Sequence, residues 1–220
     1  MSAYQHLIRP AQDSTAGTPV PTLVLLHGYG ANMRDLFGLA PALHPQMNII
    51  SLQAPQDMRH LGIPGGHSWF SLTFTGGDIG YDDEEAGAAV VDFANALPEL
   101  VSANGGDLDQ VYLMGFSQGA MIAHATLLRF GGLRGVIALS GRMVPSMFGS
   151  PDEHPTLAEV PVFVSHGHHD EVLGIANGRA IAEFYRQTPA TLTYREYQMG
   201  HDISMETLAD IQVWLREHVG

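Results

Sequence analysis

The chain has 220 residues, 45% apolar and only 15% charged, so at about 150 residues per domain it makes one large domain rather than two, and is no disordered polyelectrolyte. Ten basic against 23 acidic residues leave a net charge of −13, which repels phosphate backbones and anionic headgroups and argues against a nucleic-acid partner. Without cysteine there are no disulfides, thiolate metal sites or thiol nucleophile. Neither a basic leader followed by an apolar stretch nor a run of about 18 apolar residues is present, and the expectation is a cytoplasmic protein without membrane insertion.

In chain order, apolar runs at 22–26, 47–52, 111–114, 135–139 and 160–164 read as strands. They are continuous rather than alternating, as parallel strands buried on both faces are, whereas the more polar run at 191–194 suits an edge. Between them, Ala86, Ala89, Val90, Phe93, Ala94 and Leu97 recur at helical spacing, and the acidic run Asp82 to Glu85 suits the positive end of that helix better than a metal site. Residues 117–130 read as a buried helix, and Leu208, Ile211 and Leu215 stripe a final one. This alternation predicts an α/β doubly wound, mostly parallel sheet in a single domain over 1–220. Two long stretches interrupt it: 54–81, rich in glycine and aromatic residues, and the proline-containing 141–159. Loops of that length usually serve function, although Trp69 and Phe70 in the first could equally be core filling.

Gly115-Phe116-Ser117-Gln118-Gly119 matches G-x-S-x-G, in which glycines let a serine sit exposed on a strained turn between strand and helix. From composition alone about 0.15 chance matches are expected, and a strand before and a helix after supply the required context. A serine hydroxyl needs a base, and the base an orienting acid, in the order Ser, Asp or Glu, His. His201 follows the strand at 191–198 and is preferred to His218 in the terminal helix. Asp170 follows the strand at 160–164. Glu171 is its rival and stays open, with Asp170 preferred for its shorter, more easily fixed side chain. The backbone N–H groups of Gln118 and Tyr29, the latter in Leu26-His27-Gly28-Tyr29-Gly30, are the candidate oxyanion donors. His27 reads as structural.

These residues resemble the small carboxylesterase, phospholipase and acyl-protein thioesterase group of α/β-hydrolases. The resemblance spans nearly the whole chain, through the segments at 26–30, 53–55, 68–70 and 115–120, Gly167 with Asp170 and Val172, and Gly200-His201. It implies an α/β-hydrolase fold, a Ser117, Asp170, His201 triad and an oxyanion hole at Tyr29 and Gln118. Two positions depart from the family pattern: Gly174 stands where proline is common, and Tyr29, where the thioesterases usually carry leucine, brings a ring that narrows the acyl pocket.

The expected activity is hydrolysis of short- to medium-chain carboxylic esters through an acyl-enzyme, with no metal or organic cofactor. The partner is a small acyl ester, and a homodimer is compatible with the sequence. Long-chain thioesterase or lysophospholipase activity is the alternative within the class. Residues 141–159 are too few for a large cap, so loop 54–81 should wall the site, with Trp69, Phe70 and Leu173 touching the acyl chain. From other classes come a metal-dependent hydrolase using His166, His168, His169 and Asp170 and a non-catalytic binding module on the same fold.

Overall fold

The computed structural model describes residues 4–12, 15, 17–76 and 78–219. Its centre is a seven-stranded sheet made of β1 (His6–Arg9), β2 (Val20–Leu26), β3 (Asn48–Leu52), β4 (Gly106–Phe116), β5 (Gly135–Leu139), β6 (Pro161–Gly167) and β7 (Thr191–Tyr197). The spatial order is β1-β3-β2-β4-β5-β6-β7. All neighbours run parallel except β1, which pairs antiparallel with β3. The apolar runs predict the inner strands, and the polar run at 191–194 falls on edge strand β7, as expected. β1 goes unmarked because it is half-buried, antiparallel and at the other edge, where no continuous apolar run is needed.

Both faces are covered, and successive residues of one strand feed opposite cores. Leu23 and Leu25 of β2 belong to one cluster and Val24 and Leu26 to the other. On the second face pack α1 (Asp83–Ala103), α2 (Gln118–Phe130) and α3 (Ala176–Arg186); on the first packs α4 (Met205–His218) with Leu208, Ile211, Trp214 and Leu215. The acidic run does serve a helix start: the Asp82 side chain caps α1 by accepting the Glu85 N–H at 2.9 Å. α1 continues through Pro98, beyond the periodic pattern. An interior proline costs about 3 kcal/mol, and burial of Leu100 and Val101 offsets it at roughly 1.5–3 kcal/mol each.

The 141–159 stretch forms only short turns that bury Phe148 and Leu157, and no large cap exists. Within 54–81 a two-stranded hairpin pairs Leu72 with Tyr81 and Phe74 with Ile79. Among the described residues no helix is long and apolar enough to cross a membrane.

Candidate active site

Ser117 stands between β4 and α2 at φ 53°, ψ −115°, a conformation that costs a non-glycine residue of order 1–3 kcal/mol. The flanking glycines make it attainable. A Cβ on Gly119 would lie 1.9 Å from the Leu26 carbonyl oxygen, and one on Gly115 2.2 Å from that of Gly119, so helix and strands close up only with hydrogen at both positions. Gly28 packs on Ser117 from the end of β2, where an added Cβ would sit 3.3 Å from the serine Cβ.

The strand ends bring the other polar groups to the same edge. Ser117 Oγ lies 2.9 Å from His201 Nε2, and His201 Nδ1 lies 2.7 Å from Asp170 Oδ2. A proton on Nδ1 satisfies both contacts, leaving Nε2 to accept from the hydroxyl. Gly167 lets the two loops meet, because its Cβ would fall 2.3 Å from the Gly200 carbonyl oxygen. The Asp170 carboxylate is fully buried. Its Oδ1 accepts the N–H groups of Val172 and Leu173 at 2.9 and 2.8 Å. Glu171, the rival acid, points into solvent.

Two backbone N–H groups border the serine. Gln118 is the first residue of α2 and has no carbonyl one turn earlier to receive its N–H. The N–H of Tyr29 has no acceptor among the described residues, whereas those of Gly30 and Ala31 are spent on His67 and Gly28 carbonyls. His27 is buried, holding the Gly28 carbonyl through Nδ1 (2.7 Å) and accepting the Ala54 N–H at Nε2 (3.1 Å). Burial pushes its pKa down to about 4.

A cavity of about 280 Å³ opens beside Ser117 and His201, lined by Tyr29, the hairpin pairs Leu72/Tyr81 and Phe74/Ile79, and by Met121, Arg142, Val172 and Leu173. Leu173 is where the sequence reading puts it. Trp69 and Phe70 are not: they are 1% and 0% exposed and lie behind the wall. The Gln118 side chain bridges them, accepting the Trp69 N–H at 2.9 Å and donating to the Phe70 carbonyl at 2.7 Å. The Trp69 indole donates to the His27 carbonyl and packs on Tyr4 and Phe93. The wall comes from 54–81 as expected, but from its alternating hairpin; Leu72-Thr73-Phe74 before Gly76-Gly77 is the signal that identifies it. Arg142 carries no motif and is legible only from the structure.

The histidine cluster at 166–169 does not converge. His168 faces Glu196 (3.4 Å) and His169 faces Gln198 (3.0 Å), both on the β7 side, while buried His166 donates from Nε2 to the Leu173 carbonyl, with Asp170 Oδ2 at 3.3 Å. Among the described residues no three potential metal ligands meet. His166 thus approaches the same carboxylate oxygen, Asp170 Oδ2, that His201 Nδ1 meets. Burial lowers its pKa despite the Leu173 carbonyl and Asp170.

The sequence profile of the phospholipase/carboxylesterase family matches residues 11–219. The chain belongs to that family. As a member it is 28% identical over 157 residues to a probable carboxylesterase, SOBER1-like, of Arabidopsis thaliana; the match covers 69% of this chain but only 59% of that protein. Against acyl-protein thioesterase 1 of Yarrowia lipolytica it is 24% identical over 211 residues, covering 90% and 92% of the two chains. The crystal structure of esterase PE8 superimposes with a TM-score of 0.78 at 28% identity, over 98% of this chain and 99% of that one. The fold is that of the α/β-hydrolases.

Proposed function

We propose that this family member hydrolyses short- to medium-chain carboxylic esters with Ser117 as nucleophile, His201 as general base and acid, and Asp170 as the acid that holds the imidazole. The observation that carries the reading is the unbroken contact chain from Ser117 through His201 to Asp170, at 2.9 and 2.7 Å, beside an apolar cavity. His201 takes the hydroxyl proton as the serine oxygen attacks the acyl carbon, then returns it to the departing alcohol. Water, deprotonated by the same imidazole, releases the acid. The N–H groups of Tyr29 and Gln118 receive the negative charge that develops on the carbonyl oxygen.

The preference for shorter acyl groups is supported by cavity size, since about 280 Å³ lies just under the roughly 300–1,000 Å³ of sites for drug-sized ligands. Ester and thioester hydrolysis share the acyl-enzyme route, so cavity size bears on acyl length and the contact chain on the mechanism. Ser117→Ala should reduce kcat on butyryl and hexanoyl esters by at least about 10³-fold and abolish labelling by a fluorophosphonate probe. Full turnover by the folded variant would overturn the mechanism. Faster turnover of palmitoyl thioester than of hexanoyl ester would overturn the chain-length assignment.

A further inference from the structure

The ten basic residues of this chain are all arginine, and five of them have an evident use. Arg59, Arg179, Arg186 and Arg195 pair with Asp57, Glu196, Glu183 and Asp210, and Arg9 donates to the carbonyls of Pro10, His44 and Pro45. Arg142 is different. It is half-buried on the cavity wall with Ser117 and His201, and no carboxylate lies within 4 Å of it among the described residues. Its guanidinium carbon stands 4.7 Å from the centre of the Tyr81 ring, and Nη1 donates to the Ile79 carbonyl at 2.7 Å. Asp83 acts electrostatically on Tyr81 but does not pair with Arg142.

Such an arrangement positions a cation without neutralising it. The guanidinium gives one N–H to the Ile79 carbonyl and interacts with the Tyr81 side chain, and of its five N–H groups the rest are left for a planar, two-oxygen acceptor. Leu72, Ile79, Met121 and Leu173 line the same cavity and make its wall largely apolar, a setting in which a charge-assisted bond is stronger than in water. The protein carries 23 acidic residues, yet none described takes this arginine.

We propose that Arg142 binds a carboxylate at the far end of the acyl group, so that the substrates are half-esters of short dicarboxylic acids. The inference rests on the esterase reading above and names its substrate class. Ser117 Oγ forms a bond to the ester carbon, the alcohol leaves with the proton carried by His201, and water then splits the acyl-enzyme into free serine and the dicarboxylate. No oxidant or reductant enters.

The test compares monoethyl glutarate with ethyl pentanoate, of the same acyl length, by acid release in a pH-stat. The wild type should favour the glutarate ester at least 10-fold in kcat/KM, and Arg142→Gln should lower that ratio at least 10-fold. Arg142→Lys, which keeps charge without the planar fork, should fall between. Independently of turnover, calorimetric titration of glutarate into Ser117→Ala should show binding that weakens at least 10-fold in Ser117→Ala/Arg142→Gln, with both variants checked for a cooperative melt. Cleavage of both esters with a ratio that ignores residue 142, and glutarate binding equally indifferent to it, overturns the carboxylate site and leaves the esterase reading intact. Binding of glutarate that depends on Arg142, in a folded wild-type protein that cleaves neither ester, overturns the esterase reading and retains the carboxylate site.

Discussion

Two regions of the molecule face one another across the cavity and were built by different rules. The strand-end loops that carry Ser117, Asp170 and His201 are held by backbone approaching backbone. Glycines at 115, 119 and 167 stand where a Cβ would collide with neighbouring backbone, and Gly28 stands where one would press on the Ser117 side chain. The hairpin wall, by contrast, is held by side chains. Its inward face is formed by cross-strand pairs Leu72/Tyr81 and Phe74/Ile79, and the aromatic pair before it turns away into the core. With the proposed chemistry on the tightly packed, rigid region and shape on the other, substitutions should separate the two cleanly.

The largest expected effect breaks the rigid side. Asp170→Asn keeps Oδ1, which accepts the Val172 and Leu173 N–H groups, but sets an amide donor against the Nδ1–H of His201. The imidazole is then driven to the tautomer with its proton on Nε2, which cannot accept from Ser117. A fall in kcat on the order of 10³–10⁴-fold is expected with KM little changed; retention of more than a tenth of wild-type kcat would show that His201 is oriented by something else.

Next in size is a substitution that removes packing. Trp69→Ala takes away a buried indole packed among Tyr4, His27 and Phe93 and should cost roughly 3–5 kcal/mol in urea denaturation. Chain-length preference in the surviving folded fraction should stay the same, because the indole does not line the cavity. A shifted preference at unchanged stability would return Trp69 to the substrate.

The same contrast explains what could be read in advance. Inner strands and the contact chain from Ser117 to His201 and Asp170 are legible because burial on both faces demands unbroken apolar runs and because strand, turn and helix around Ser117 obey a local pattern. Glycine spacing near 28, 115 and 119 records close approaches directly. Trp69 and Phe70 mislead because aromatic enrichment in a long loop is the same for a ring in a pocket and a ring in a core. What distinguishes them is the Gln118 side chain reaching over from α2, a contact across about fifty positions of sequence. Arg142 is hidden for a related reason: its significance lies in the partner it lacks. Helix α3 carries the poor helix formers Asn177-Gly178 in its first turn, because a Cβ added to Gly178 would lie 2.6 Å from the His166 Cβ.

A smaller effect probes the support beneath the rigid side. Burial holds His27 to a pKa of about 4 and His124 to about 3, below the ordinary value near 6.5. Between those values the unfolded chain binds more protons than the folded one, so stability is complete above about pH 6.5 and is lost progressively as pH falls toward 4. The loss is up to roughly 3 kcal/mol per histidine. Protonating His27 at Nε2 would also set two donors, its own and the Ala54 N–H, against each other. Urea midpoints at pH 7.5, 6 and 5 should decline in that order, and a flat profile would mean that neither ring is kept neutral.

The smallest expected effect sharpens the hairpin side. Phe74 is 63% exposed yet lines the cavity and meets the Tyr29 ring edge-on at 6.0 Å. Phe74→Ala should therefore leave stability within about 0.5 kcal/mol, as for other exposed positions. It removes apolar surface from the cavity wall, which under the proposed function contacts the acyl group. One methylene buried there is worth about 0.8 kcal/mol, so the gain in kcat/KM from butyryl to hexanoyl ester should drop about fourfold per methylene that loses contact. The hairpin pairing should survive, because the partner Ile79 stays fixed through its carbonyl to Arg142. A destabilisation of 2 kcal/mol or more with an unchanged chain-length profile would place Phe74 with Trp69, as packing rather than wall, and would erase the difference between the hairpin and the core behind it.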